Sequence, residues 1–238
     1  MAGHSKWANI KHRKAKADAK KGKAFSSVTK EIIVAVKSGG ADPKSNPQLR
    51  LAITRAKAVN LPNENIERNI KKAQSKDQSN FDEVLYEVYG SGGVGILCKA
   101  LTDNKNRTAS DMRIATNKKG GTIAAPGSVA FNFDPFGVIQ VEKGKMTSES
   151  LFEKALEVGA IDFSDEEEMC IITTHPEELF MVKEGLEKMG VEVKDSSLEM
   201  VPKTLIECNE EDKQSNLALI EFIENLDDID EVVHNMDM

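Results

Sequence analysis

Cysteine is scarce in this 238-residue chain, and its three copies, Cys98, Cys170 and Cys208, stand far apart with no CxxC pair. An odd number at such spacing argues against a disulfide framework and a zinc ribbon, and fits a reducing cytosol. Long apolar runs are missing as well. The longest, such as 32–36, fall far short of the roughly 20 residues that span a bilayer. No apolar stretch follows the charged N-terminus, so no secretory signal is expected, and glycine at position 3 rather than 2 fails the myristoylation pattern. GxSxG and HExxH are absent, and so is the phosphate loop GxxxxGK[ST]: Gly22-Lys23 is followed by Ala24, and Gly144-Lys145 by Met146.

What is present is charge, unevenly placed. Hydrophobic residues make up 39% and charged residues 30%, a soluble globular composition, with a formal net charge of −7. That average conceals a division. Residues 1–80 hold 18 Lys+Arg against 6 Asp+Glu, net +12, whereas residues 81–238 hold 14 against 33, net −19. Within the first 30 residues the only acid is Asp18. A basic end joined to an acidic remainder predicts that the N-terminus binds a polyanion.

Periodicity divides the chain further. Phe25, Val28, Ile32, Ile33 and Val36 follow helical spacing and stop at Gly39-Gly40; Leu49, Ala52, Ile53, Ala56 and Val59 repeat the pattern after Pro47, and Ile66, Ile70 and Ala73 after Pro62. These predict a small helical domain. Residues 6–23 have few large apolar side chains beyond Trp7 and Ile10, so they read as a basic arm. Beyond residue 80 the pattern turns to strands at 81–89 and 96–101, a helix at 111–119 and a strand at 128–133 that ends at Asp134-Pro135. Then follow a strand at 138–141, a helix at 148–158, a strand at 169–173, a helix at 176–189 and strand material at 191–201. A strand at 204–208, a helix at 215–226 and a strand at 231–234 close the chain. Neither the closing β-α-β nor the β-β-α-β at 81–134 can bury its own sheet face. Joined, they make a complete layer pair, which predicts a helical domain at 1–80, a discontinuous α+β domain at 81–134 and 204–238, and an inserted acidic α+β domain at 135–203. Two consecutive α+β domains are the competing layout.

Several motifs carry chemistry or resemble those that do. The first 25 residues interleave Lys6, Lys11, Arg13, Lys14, Lys16, Lys20, Lys21 and Lys23 with Trp7 and His12, which supplies phosphate neutralisation and a flat π face for a base. Gly90, Gly92 and Gly95 satisfy GxGxxG, but a strand follows where the dinucleotide motif needs a helix, so a flexible hairpin connection is expected. In TDNKNRT (102–108), Thr108 and the nearby Ser110 suit helix capping, while Lys105 and Arg107 show no structural duty and are candidate nucleic-acid contacts. The acidic clusters 165–168 and 227–231 lack the alternating ligands of a calcium loop and read as solvated surface. His4 and His12 have no partner at metal-ligand spacing, and His175 and His234 lie near no recognisable nucleophile.

The segments GHSKWANIKHRKAKADAKKGKAF (3–25), NPQLRLAITRAKAVNLPNENIERNIKK (46–72), YEVYGSGGVGIL (86–97), TDNKNRT (102–108) and GSVAFNF (127–133) resemble the YebC family. That family includes bacterial proteins described as "probable transcriptional regulators" and the mitochondrial translational activator of cytochrome c oxidase. Residues 137–201 match by pattern more than by residue, and the family usually has Gly and Pro where this chain has Val88 and Ser91, and Glu where it has Ile161. The resemblance implies an α+β fold with a helical N-terminal domain and two small α+β sandwich domains, one of them discontinuous. It implies a non-enzymatic regulator of gene expression, and the residues themselves lead to the expectation of no cofactor, metal or small-molecule substrate. The arm is expected to act on ribosomal RNA and the ribosome as a translation factor; the alternatives are a DNA-binding transcriptional regulator and a protein-interaction module without nucleic acid. A Lys-rich arm with one Trp suits backbone and stacking contacts better than base-edge readout. The motif begins at residue 3, so no mitochondrial presequence is expected. The expectation is a cytoplasmic monomer with no membrane partner.

Overall fold

The structure is a computed structural model that describes residues 21–75, 81–144, 146–166 and 169–238. The architecture is α+β, with two four-stranded antiparallel sheets among the described residues. They fall into two compact units, one of residues 21–132 with Thr204–Met238 and one of Phe133–Lys203.

The larger unit opens with three helices, α1 (Lys21–Gly39), α2 (Pro47–Ala58) and α3 (Asn63–Ala73). Their periodic apolar residues meet in one cluster: Ile32 and Val36 of α1 pack with Leu49 and Ala56 of α2 and Ile66 of α3. Buried Asn46 fixes the α1–α2 corner. Its Oδ1 accepts from the Leu49 N–H at 3.0 Å, capping α2, while its Nδ2 donates to the carbonyls of Ala35 and Gly40, each at 2.7 Å. Gly39 must lack a side chain there, because a Cβ would sit 2.7 Å from Asn46 Nδ2.

A sheet follows in the order β3-β1-β2-β8, built from β1 (Asp82–Tyr89), β2 (Gly95–Thr102), β3 (Thr122–Ile123) and β8 (Ile229–His234). On one face Val88, Ile96, Cys98 and Val232 pack with Met112 of α4 (Lys105–Lys119) and Leu219 and Ile223 of α7 (Glu210–Glu224). Leu97 and Leu101 alternate to the other face, where α1 lies against β2, and both are buried. The Gly-rich connection is followed by strand β2, as its pattern implied, but it is pinned rather than loose. Buried Asn216 accepts from the Ser91 N–H at 2.8 Å and donates back to the Ser91 carbonyl at 3.0 Å, and the Gly90 N–H reaches the Val94 carbonyl at 2.8 Å.

Two strand expectations fail in this unit. Residues 128–132 make a turn and the 3-10 segment Ala130–Asn132, because their N–H groups serve a carboxylate instead of a ladder. Glu87 accepts from the N–H groups of Gly127, Val129 and Ala130 at 2.5, 2.6 and 2.8 Å. Burial alone raises the pKa of this carboxyl, and those three donors hold it below the ordinary value. Residues 204–208 contribute only an isolated bridge, Ile206 to Met236.

The smaller unit runs β4 (Phe133–Glu142), α5 (Ser148–Glu157), β5 (Asp162–Asp165), β6 (Met169–Thr174), α6 (Leu179–Lys188) and β7 (Val193–Pro202), with sheet order β5-β6-β4-β7. This is the split β-α-β-β-α-β arrangement. Leu151 and Ala155 of α5 and Leu179, Val182 and Leu186 of α6 are buried, and α6 packs on β4 and β7. At Gly137 of β4 the fit is close: a Cβ would lie 2.3 Å from Thr174 Oγ1.

Candidate nucleic-acid interface

The arm residues Lys6, Trp7, Lys11, His12, Arg13, Lys14, Lys16 and Lys20 lie outside the described residues. What the structure describes is the helix that continues from the arm. Lys21 begins α1. Lys23 Nζ donates to the carbonyls of Glu224 and, at 2.7 Å, Leu226, at the C-terminal end of α7, where a cation complements the helix dipole. One and two turns further on, Ser27 Oγ donates to Asp230, and Lys30 Nζ donates to the Asp227 carbonyl at 3.0 Å and pairs with Asp228 at 3.3 Å. Positions 23, 27 and 30 share one helical face, so a single stripe of α1 is fastened to the turn between α7 and β8.

That turn is no solvated acidic surface, and the expectation for 227–231 is corrected accordingly. Asp228 is 7% exposed. Its carboxylate accepts from Thr102 Oγ1 at 3.2 Å, Thr108 Oγ1 at 2.9 Å, and Arg107 Nε and Nη2 at 3.1 and 2.7 Å. Burial opposes its charge, but the hydrogen bonds from Arg107 and Thr108, with Lys30 nearby, hold its pKa below the ordinary carboxylate value.

TDNKNRT is therefore largely a clasp. Asn104, not Thr108 or Ser110, caps α4, its Oδ1 accepting from the Arg107 N–H at 3.1 Å. Arg107 has a structural duty after all, since it also meets Asp103 at 2.9 Å. Its guanidinium is half exposed, so one edge still faces solvent. Lys105 pairs with Asp82 at 3.1 Å with both side chains largely in water, an arrangement worth little.

Beneath the stripe sits a second set of charges. Lys99 of β2 pairs with Asp230 at 2.8 Å and Glu231 at 3.6 Å, while Glu31 of α1 pairs with Arg55 of α2 at 3.1 Å. Burial, reinforced by Asp230, raises the Glu31 carboxyl to about 6 despite Arg55 and Lys99. Lys99 is held above its ordinary value by Asp230, Glu231 and Glu31 against the effect of burial.

The bundle itself is basic. Residues 21–75 hold 11 Lys+Arg against 4 Asp+Glu, and on α3 the exposed Arg68, Lys71 and Lys72 lie at i, i+3 and i+4, with exposed Lys57 near the end of α2. These four add an available cationic surface that attention to the arm overlooks. Its signal is legible in the phase of Arg68, Lys71 and Lys72 relative to Ile66 and Ala73.

No group of His, Cys, Asp and Glu among the described residues is placed to hold a metal ion, and no described helix is long and apolar enough to cross a membrane. Burial keeps the Cys98 thiol well above its ordinary value and pushes Cys170 up to about 11, so neither is a thiolate near neutrality.

Family models decide the kinship: one described as "TACO1/YebC protein N-terminal domain" matches residues 5–76, and one described as "TACO1/YebC second and third domain" matches 81–236. The chain belongs to the TACO1/YebC family. Among its relatives, a "probable transcriptional regulatory protein" of Protochlamydia amoebophila is 58% identical over 99% of this chain and 96% of its own length. Another of that description, from Chlamydia trachomatis serovar L2, is 56% identical over 99% of this chain and all of its own. The crystal structure of a conserved hypothetical protein, Aq1575 of Aquifex aeolicus, superposes with a TM-score of 0.84 at 46% identity, covering 97% of this chain and 96% of that one. These three relatives match nearly the full length of this chain, the Aquifex protein shares its fold, and the other two are named as regulatory proteins.

Proposed function

We propose that this protein is a non-enzymatic regulator of gene expression that binds nucleic acid through its basic N-terminal arm and acts on ribosomal RNA as a translation factor. The observation that carries the reading is the charge division, net +12 over residues 1–80 and net −19 over 81–238. The first attracts a polyanion and the second repels one. Lys6, Lys11, Arg13, Lys14, Lys16, Lys20 and Lys21 neutralise phosphates, with His12 among them, and Trp7 stacks on an exposed base, while Lys23 is held by the carbonyls at the end of α7. Lys105 and the exposed edge of Arg107 are local contacts of the acidic part. The protein works as a cytoplasmic monomer with the ribosome as its larger partner.

The relatives' names favour a second reading, in which the same arm holds promoter DNA. Phosphate contacts carry no sequence information, so electrostatics is silent between the two. Crosslinking the full chain in cells and sequencing the bound nucleic acid separates them: ribosomal RNA reads support the first, promoter reads the second, and recovery of neither refutes both. In solution, an arm engaging about five phosphates gives a slope of log K against log[salt] of roughly −4.5 on duplex DNA and a shallower one on single strands. A salt-insensitive complex overturns the role of the arm.

A further inference from the structure

The unit Phe133–Lys203 has a surface that the proposed function leaves unused. Leu151 and Ala155 of α5 turn into the core, yet Phe152 and Leu156, one turn apart on the same helix, are 44% and 56% exposed. Ile161, just ahead of β5, is 43% exposed. Two residues on, Phe163 extends the same side of that strand, and its ring meets Phe152 edge-on with centroids 5.5 Å apart. Helix α5 and strand β5, an edge of its sheet, therefore share one apolar strip with large side chains open to solvent.

Its border is acidic. By helical phase, Glu149, Glu153 and Glu157 flank Phe152 and Leu156 on the side away from the core, and Asp162 stands beside Ile161. All four are exposed, and none makes an ion pair among the described residues. The whole unit holds 17 Asp+Glu against 7 Lys+Arg. An apolar strip rimmed by carboxylates of one sign repels a polyanion and sets carboxylate against carboxylate in a second copy of itself. It complements an apolar ridge flanked by cations.

We propose that this face of α5 and β5 docks an amphipathic helix of another protein, one that presents apolar side chains at i, i+3 and i+4 between lysines and arginines. Phe152 and Leu156 are the central anchors, and the glutamate rim sets orientation and association rate. The proposal is independent of which nucleic acid the arm holds.

The test uses the full chain with the photo-crosslinker p-benzoylphenylalanine replacing Leu156, an exposed position where the larger ring does not disturb the core. Irradiation in the native cell, followed by mass spectrometry of the crosslinked peptides, is expected to yield a defined segment of another protein with cations flanking an apolar helical stripe. The yield should fall at least 5-fold in a Glu149→Gln, Glu153→Gln, Glu157→Gln background and with a Phe152→Ser change. Circular dichroism and melting of these variants show that the fold is kept. Crosslinks to RNA, to a second copy, to residues 1–20 of the same chain, or to no defined segment overturn the proposal, as does a yield indifferent to the three glutamates.

Discussion

Asp228 shows how much one side chain can hold. It gathers the end of β2 through Thr102, the start of α4 through Arg107 and Thr108, and α1 through Lys30. Replacing it with alanine removes the acceptor that Thr102, Thr108 and Arg107 share and the carboxylate that pairs with Lys30. Asp228→Ala should therefore lower unfolding stability by about 3 kcal/mol; a loss below about 1 kcal/mol in urea denaturation means that the clasp is not a mainstay of the fold. Trp7 is the opposite case, with Lys6, Lys11, Arg13 and Lys14 around it in sequence and few apolar neighbours there to pack on. Trp7→Ala should weaken RNA binding roughly 5-fold with little change in melting temperature. As the chain's one tryptophan, its fluorescence should quench when RNA is added. A lowered melting temperature with affinity intact instead assigns Trp7 to the protein core.

At the level of elements, the sequence was most legible where periodicity and punctuation agree. Strands β1 and β2, expected at 81–89 and 96–101, are found at Asp82–Tyr89 and Gly95–Thr102, and the expected helix at 148–158 is Ser148–Glu157. Errors arose where a distant partner decides. Pro135 reads as a strand end, yet β4 runs through it, because there β4 pairs only with β7 and its pairing with β6 begins at Gly137. A missing N–H is tolerated where a strand has one neighbour. The early turns of α4 and α7 escape the apolar pattern because their caps, Asn104 and Asn209, lie ahead of it in polar sequence. Of the candidate interface, the cationic arm was legible from composition, whereas the duties of Lys23 and Arg107 depend on carbonyls and a carboxylate more than 100 residues away. Residues 128–133 look like a strand in isolation, but 128–132 become a shaped loop through Glu87, which leaves Phe131 63% exposed. Glu87→Gln offers one good acceptor where three donors converge. Hydrogen exchange at the Val129 and Ala130 amides should speed up by about 10-fold or more, with a stability loss of roughly 1–3 kcal/mol. Unchanged protection there refutes the carboxylate's role in shaping the loop.

Across the whole molecule, the contact between helical bundle and sheet should carry a pH signature. Glu31 has a folded pKa of about 6 against an ordinary 4.5, so between those values the folded state binds more protons and stability falls as pH rises. Its charged form costs about 2 kcal/mol above pH 6. Asp228 and Glu87, both held low, act in the other direction and only below the ordinary carboxylate range. The stability of Glu31→Gln relative to the parent should therefore rise by roughly 1 kcal/mol between pH 5 and pH 7, whatever offset the lost Arg55 pair adds. A difference that stays constant between the two refutes the assignment. The larger unit is also interrupted: its chain leaves at Asn132 and resumes at Thr204, and the strand beside β2 is the last one made. On a translating ribosome, residues 133–203 emerge with all their sheet partners in hand, while the bundle and β1–β2 wait for Asp228, Asp230 and β8 to clear the exit tunnel. Helix α1 is thus among the last elements to be locked, and its Lys23 and Lys30 emerge beside ribosomal phosphate before the turn that will fasten them exists.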